Sequence, residues 1–253
     1  MDTMKNVQAL ILVSVCAICL QQLGCLGSDS SGTRTASSGN GTSGSLARFI
    51  LVDNFLYTVD NTSLRVFDCS GRAATYVTTV NLGFNIETVF NRKNTLFIGA
   101  SDGVHIYDIT NRTKPEFLSL YRHIFSCDPV VANDNYAFAT LSTGRDWCWR
   151  GTNQMDIIDI SNLRSPRLVK SVPLIKPLGL GLLNDKRLIV CNDGVEVYDI
   201  SAIQNTQLFR FIRPFKGIDV IPGTDGFTSV SQTGIANFGY RNDTLWQRGA
   251  YAY

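Results

Sequence analysis

The chain lacks the features that mark several common functional classes. It has 253 residues, a formal net charge of only +2 and no basic run, so the electrostatic footprint of a nucleic-acid-binding protein is missing. Its two histidines, His105 and His123, leave few choices for a histidine base. The sequence also has no Gly-rich phosphate loop after a strand and no zinc-type cluster of cysteine and histidine. Nucleotide chemistry and zinc catalysis are therefore disfavoured.

Four copies of one short β-type pattern run through the chain, and each copy ends in an aspartate. The four aspartates are Asp68, Asp108, Asp159 and Asp199, and they are separated by 40, 51 and 40 residues. Self-similarity at this period, with several β-type runs in each copy, is typical of a propeller in which each repeat forms one four-stranded blade.

The blade can be traced beyond its signature strand. In the fourth copy, β-type runs cover 178–183, 187–191, 195–200 and 208–212, with Asn/Asp/Gly turns between the first three. A degenerate copy begins near Leu46, and a degenerate last copy extends from Ile218 to Tyr251. The sequence therefore predicts an all-β fold, a five-bladed β-propeller of four-stranded antiparallel blades over 46–253, with a repeat period of about 40 residues.

The signature aspartates have two interpretations. Asp at the start of a turn accepts hydrogen bonds from backbone amides, and this role fits all four positions. A ligand role is the poorer alternative, because the four residues belong to outer turns of four separate blades.

The N-terminus predicts an exported protein. Lys5 precedes an apolar stretch over 7–20, which is short for a membrane span and suits the core of a signal peptide. The following Gln22-Leu-Gly-Cys25 resembles a bacterial lipoprotein signal, which predicts a lipid on Cys25. We expect a signal peptide over 1–24, a Ser/Gly/Thr-rich tether over 25–45 and the propeller domain over 46–253. An ordinary secreted protein cleaved nearby is the alternative.

The remaining cysteines fit an oxidising compartment. Cys127 opens the first strand of blade three and Cys148 follows the end of the antiparallel neighbour, so we expect a disulfide between them. Cys69 and Cys191 lie in blades one and four, and we expect both to be thiols.

One face of the predicted disc collects polar residues around the central channel. The first strands of the blades begin there, at Arg48, Glu87, Asp128, Gly179 and Asp219. The three carboxylates could hold a hard cation such as Ca²⁺. They could equally be satisfied by Arg48, backbone amides and channel water.

The same face carries the insertion that lengthens the third interval to 51 residues. It contains Arg145, Trp147, Trp149 and Arg150, the composition of a surface that binds a partner protein or stacks on a sugar. We take these four residues and Arg48 as ligand-binding candidates. The alternative is that both Trp fold over the channel mouth as a structural plug.

Several motifs together resemble a known repeat family. They are the signature strands, Ser126-Cys-Asp-Pro-Val-Val131, Tyr136-Ala-Phe-Ala-Thr-Leu141 and Met155-Asp-Ile-Ile-Asp-Ile-Ser161. They are similar to the LVIVD-repeat propellers of bacterial, Bacteroidetes-type lipoproteins. The resemblance implies a cell-envelope β-propeller without an established activity. In one departure, Leu178 stands where the family motif has histidine.

Two hypotheses for function follow. The first is a non-catalytic binding module tethered in the bacterial cell envelope, at the outer membrane, through its lipid alone; its partner is an envelope protein or a glycan, not nucleic acid, and it needs no cofactor beyond a possible Ca²⁺. The second is a glycan- or lactone-directed hydrolase or lyase that uses Glu87, Asp128 and Asp219, with or without a metal.

Overall fold

The computed structural model describes residues 44–83, 85–122, 129–142 and 152–253, and within these ranges twenty strands form five four-stranded antiparallel sheets. Blade one contains β1 (Phe49–Val52), β2 (Phe55–Val59), β3 (Ser63–Asp68) and β4 (Thr75–Asn81). Blade two contains β5 (Ile86–Arg92), β6 (Thr95–Ala100), β7 (Gly103–Asp108) and β8 (Glu116–Arg122). Blade three contains β9 (Val130–Ala132), β10 (Tyr136–Leu141), β11 (Gln154–Asp159) and β12 (Arg167–Pro173).

The last two blades follow the same order. Blade four contains β13 (Pro177–Asn184), β14 (Arg187–Asn192), β15 (Val195–Asp199) and β16 (Gln207–Ile212), with a short 3₁₀ helix, Ile203–Asn205, before β16. Blade five contains β17 (Asp219–Gly223), β18 (Gly226–Val230), β19 (Gly234–Arg241) and β20 (Thr244–Ala252). The predicted five-blade division and the strand order of each blade are confirmed.

The signature aspartates terminate the third strands of blades one to four. Oδ1 of Asp68 accepts a hydrogen bond from the Ser70 amide at 2.8 Å, and Asp159 and Asp199 accept equivalent bonds at 2.9 Å. Asp108 does the same with the Thr110 amide. These hydrogen bonds from the Ser or Thr two residues later lower the pKa of all four carboxyl groups. The predicted structural role is confirmed.

Apolar side chains fill the spaces between successive blades. Four buried clusters lie between blades one and two, two and three, three and four, and four and five. The third strands of blades two, three and four are buried on both faces, as expected for strands between two neighbours. The third strands of blades one and five each leave one face partly exposed, at Arg65 and at Ile235 and Asn237, so the prediction of burial on both faces is wrong for blade one. In the described part of the chain, no such cluster joins blade five to blade one.

The free face of blade five has a different composition from the equivalent faces of earlier blades. In blade four, the cross-strand pair Ile189 and Val197 is buried against blade five. The corresponding pair in blade five is Thr228 and Asn237, whose side chains hydrogen-bond at 2.9 Å. Ile235 on the same face is 37% exposed. Polar groups at two of these positions let this face remain in contact with water.

The cysteines that the structure describes are thiols. Cys191 is fully buried in the cluster between blades four and five, and burial raises its pKa. Cys69 is half-buried. Cys127, Cys148 and the lipidation candidate Cys25 lie outside the described residues, and the described ranges contain no disulfide. No helix within those ranges is long and apolar enough to span a bilayer.

Candidate functional site

The residues that begin each first strand surround the channel at one end, which we call the start face. In the described ranges these are Arg48, Glu87, Gly179 and Asp219, at or next to the beginnings of β1, β5, β13 and β17. Asp128 lies outside the described residues. β10 ends and β11 begins at the same face, and the insertion between them lies outside the described residues.

Asp219 is partly buried against the segment that precedes β1. Its Oδ1 accepts a hydrogen bond from the Ser45 hydroxyl at 3.1 Å, and its Oδ2 accepts one from the Leu46 amide at 3.3 Å. Gly44 and Gly179 pack so closely on the carboxylate that a methyl group on either would overlap it. Burial raises the pKa of Asp219 above its usual range. The geometry leaves this carboxylate little room to meet a substrate.

Arg48 bonds to groups of blades one and two and not to Asp219. Its Nη2 donates to Oδ1 of Asn61 at 3.0 Å and to the carbonyl of Ile86 at 3.3 Å. The guanidinium therefore links the start of blade one to the start of blade two. Arg48 therefore does not neutralise Asp219, as the alternative interpretation would require. The carboxylate of Asp219 accepts hydrogen bonds from the Leu46 amide and the Ser45 hydroxyl instead.

The predicted Ca²⁺ site depends on residues that are only partly described. Glu87 is buried, with 8% of its surface exposed, and Asp219 is engaged by Ser45 and Leu46. Among the residues that the structure describes, no three His, Cys, Asp or Glu side chains lie together as a metal site. Because Asp128 lies outside those ranges, a cation held by Glu87, Asp128 and Asp219 stays a prediction.

A short segment before β1 crosses the channel near the start face. The Ser45 hydroxyl accepts a hydrogen bond from the Leu180 amide at 2.8 Å, and the Ala47 carbonyl accepts one from the Val89 amide at 2.9 Å. The segment 44–47 therefore contacts the first strands of blades two, four and five, and we call it the channel plug. Gly44 and Ser45, which composition assigns to the tether, are instead buried in the channel plug. Their small side chains allow the segment to lie inside the channel and to make these hydrogen bonds.

Beyond the plug, the channel widens into a cavity of about 370 Å³. The first strand of every blade contributes to its wall. Its lining residues are Ile50, Phe90, Asn91, Arg92, Lys93, Val131, Ala132, Asn133, Leu180, Gly181, Leu182, Leu183, Asn184, Asp185 and Pro222. Many of them belong to the turns between first and second strands, so the cavity opens on the face opposite the insertion, which we call the turn face.

The rim of the channel cavity is built from polar turn residues. Asn133 accepts hydrogen bonds at Oδ1 from the Asn135 and Tyr136 amides, at 3.0 and 2.8 Å. Asn184 accepts one from the Lys186 amide at 2.8 Å. These bonds close the turns and fix the amide side chains at the rim.

Charged side chains complete the rim. Arg92 Nε and Lys93 Nζ each lie 2.8 Å from a different oxygen of Asp134. Asp185 adds a carboxylate on the side of blade four. These two cations and two anions together carry no net charge.

A second cleft of about 370 Å³ lies on the start face between blades four and five. Its lining includes Lys176, Leu178, Phe215 and Lys216. Lys216 pairs with Asp193 at 3.0 Å, and both side chains are largely exposed. Leu178 gives this cleft an apolar wall.

The ligand-binding candidates of the insertion stay predictions. Arg145, Trp147, Trp149 and Arg150 lie outside the described residues, as does His123. His105 is buried in β7, as expected for packing, and its Nε2 lies 2.9 Å from Oδ1 of Asp102.

The sequence matches the family model described as the LVIVD repeat at residues 150–173. Together with five four-stranded sheets around one channel, this match places the chain among the repeat β-propeller proteins. More particularly, the matched segment covers β11 and β12 of blade three. No curated protein matches the chain.

Solved structures support the fold. A functionally unknown protein from Desulfotomaculum acetoxidans is 9% identical, with a TM-score of 0.66 over 85% of this chain and 69% of its own. A putative 6-phosphogluconolactonase from Bacteroides uniformis is 14% identical, with a TM-score of 0.61 over 79% of this chain and 69% of its own. The periplasmic gluconolactonase PpgL of Pseudomonas aeruginosa is 16% identical, with a TM-score of 0.54 over 79% of this chain and 68% of its own. At these identities the likeness is one of fold alone.

Sequence reasoning missed the channel cavity and its plug. A usable signal was present, because polar residues recur where first strands end, in Arg92-Lys-Asn, Asn133-Asp-Asn and Asn184-Asp-Lys. These residues come together only when the blades are placed side by side around the channel.

Proposed function

We propose that this propeller is a non-catalytic binding module of the bacterial cell envelope. The observation that carries the proposal is the environment of Asp219, a carboxylate at the start face. A general acid, base or nucleophile must lie within reach of a substrate. Asp219 is instead bonded to Ser45 and Leu46 and enclosed by two glycines.

A hydrolase acting on a lactone or glycan is the second candidate. It is favoured by the lactonase names of two proteins with the same fold, from Bacteroides uniformis and Pseudomonas aeruginosa. Such an enzyme would need Glu87, Asp128 and Asp219 to face a common opening. The enclosure of Asp219 opposes that arrangement.

A turnover assay separates the two candidates. Full-length protein is incubated with glucono-1,5-lactone, 6-phosphogluconolactone and a set of soluble glycans, beside buffer alone and beside Glu87→Gln and Asp219→Asn variants. We expect wild-type protein and both variants to leave the rate at its buffer value. Turnover that rises with protein concentration and is abolished in either variant would establish the enzyme instead.

The insertion remains our proposed surface for recognition of an envelope protein or glycan. Two Trp and two Arg there, with Arg48 on the same face, have the composition of a binding hot spot. Replacing Trp147 or Trp149 with Ala should cost on the order of 2 kcal/mol of partner affinity without unfolding the chain. Unfolding of both variants would indicate that the two Trp side chains cover the channel mouth in a structural role.

We further propose that the protein is a lipoprotein anchored at the outer membrane through Cys25. The support is the Lys5 and apolar 7–20 pattern before Gln22-Leu-Gly-Cys25, followed by a polar tether. Full-length protein should partition into the detergent phase, and Cys25→Ser should release it to the aqueous phase. Wild-type protein that is soluble without detergent would contradict the anchor.

A further inference from the structure

We propose that the channel cavity on the turn face binds a small, uncharged, polyhydroxylated molecule such as a monosaccharide. This inference deepens the proposed function, because it assigns a ligand class to a module that binds without turnover. It concerns a place on the opposite face from the insertion.

The size and enclosure of the cavity suit a small molecule. Its volume of about 370 Å³ lies within the range of ligand pockets, roughly 300–1,000 Å³. The plug crosses the channel at Val89 and Leu180, next to the deepest lining residues. The plug therefore covers the cavity on the side of the start face, which helps to remove a bound molecule from water.

The wall of the channel cavity is apolar below its rim. Ile50, Val131, Leu180 and Leu182 come from blades one, three and four and line it together. Such a wall can receive the C–H face of a sugar ring, while the hydroxyl groups of the ring point to polar atoms above.

The rim offers both hydrogen-bond donors and hydrogen-bond acceptors to the hydroxyl groups of a ligand. In Asn133 and Asn184, Oδ1 is used by the turn amides, which leaves Nδ2 as the group that donates to a ligand. In Asn91 the order is reversed, because Nδ2 donates to the carbonyls of Lys93 and Thr95 at 2.9 and 3.1 Å and Oδ1 is left to accept. A hydroxyl group both donates and accepts, so a polyol can satisfy the two kinds of atom at once.

Charge balance decides against an ionic ligand. Arg92 and Lys93 are paired with Asp134, and Asp185 lies on the same side of the rim as Asp134, where blade three meets blade four. An anion would have to compete with Asp134 for its cations and would approach Asp185. A cation would meet Arg92 and Lys93. An uncharged ligand meets neither penalty.

The test uses two substitutions that preserve the turns. Asn133→Asp and Asn184→Asp keep the Oδ1 acceptor that closes each turn and replace the Nδ2 donor by a carboxylate oxygen. Asn162→Asp is the matched control, since Asn162 closes a turn by accepting from the Arg164 amide at 3.0 Å and does not line the cavity. Thermal melting is used to check that all three variants fold.

Binding to the full-length protein is measured by titration calorimetry with glucose, galactose, N-acetylglucosamine, glucose 6-phosphate and inorganic phosphate. We expect at least one uncharged sugar to bind and the phosphates to bind more weakly. Each cavity variant should lose affinity about tenfold or more, while the control keeps the wild-type value.

Three results would overturn the inference: no binding by any uncharged sugar, tighter binding by a phosphate, or cavity variants that bind like the control. Each of them leaves the non-catalytic proposal intact, because a partner could bind elsewhere. Conversion of a bound sugar to product would defeat the proposed function itself, even if the cavity variants lost affinity as expected.

Discussion

The hydroxyl of Ser45 donates a hydrogen bond of 3.1 Å to Oδ1 of Asp219, across 174 residues of chain. The same hydroxyl accepts a bond from the Leu180 amide. The segment before blade one is thus fastened to blades four and five at the centre of the propeller. The apolar clusters of the described residues do not join blade five to blade one. The hydrogen bond from Ser45 to Asp219 is therefore important for holding the start of blade one to blade five.

Ser45→Ala should destabilise the fold. The substitution removes both hydrogen bonds and leaves the Leu180 amide buried with one partner fewer, at a cost of about 1–3 kcal/mol. Urea denaturation measures the free energy of unfolding. Ser201→Ala is the control, because it removes an exposed hydroxyl from Asp199 and should change stability by about 0.5 kcal/mol or less. Equal losses in the two variants would contradict the role of Ser45.

The stability of the protein should depend on the protonation of Asp219. Burial raises its folded-state pKa above the ordinary 3.8, so the folded chain binds this proton more tightly than the unfolded chain does. The resulting stabilisation is complete below pH 3.8 and is lost as the pH rises through the folded-state pKa. We therefore expect the Tm of Asp219→Asn minus the Tm of the wild type to increase as the pH rises from about 3 to 7.

Asp225→Asn is the control for this pH dependence. Asp225 is exposed, and its hydrogen bond from Arg248 lowers its pKa, so any trend with pH should be small and opposite in sign. A Tm difference between Asp219→Asn and wild type that stays constant across the pH range would contradict the burial of this charge.

Much of the fold could be predicted from sequence because each blade repeats local chemistry. The signature aspartates and the Asn/Asp/Gly turns mark strand ends through hydrogen bonds within a few residues, as for Asp199 and Ser201. The five blades and their strands follow from those marks. The polar composition of the free face of blade five is also visible in sequence, once Thr228 and Asn237 are aligned with Ile189 and Val197.

The candidate site was less predictable because it depends on contacts between blades. Arg92, Asn133 and Asn184 are far apart in sequence, and they meet only because the first strands share a channel. Ser45 lies in a Ser/Gly-rich stretch, and composition alone assigns it to the tether. Its role depends on the distant Leu180 and Asp219, which no local pattern indicates.

The two described cysteines should differ in reactivity. Cys191 is fully buried and its thiol pKa is raised by burial, so it lacks both access and thiolate character. Cys69 is half-buried. Maleimide labelling followed by peptide mass spectrometry should find Cys69 modified in the native protein and Cys191 modified only in denaturant. Equal labelling rates under native conditions would show that blades four and five do not pack as described.

The polar pair on the free face of blade five should limit association. Replacing Thr228 with Ile and Asn237 with Val gives this face the residues that pack between blades four and five. We expect the double variant to associate at lower concentration than the wild type, as measured by light scattering after size exclusion. Thr224→Ile with Gln232→Val adds comparable apolar surface at exposed turns and should not. Identical profiles for the two variants would contradict this role for the pair.

The most direct test of a module that binds without turnover is one NMR experiment on full-length protein. Saturation transfer reports contact between the protein and an uncharged sugar, and the spectrum of added glucono-1,5-lactone over time reports its hydrolysis beside a buffer blank. The account predicts saturation transfer to the sugar and a hydrolysis rate equal to that of buffer. Hydrolysis that accelerates in proportion to protein concentration, and that Asp219→Asn abolishes, would contradict it.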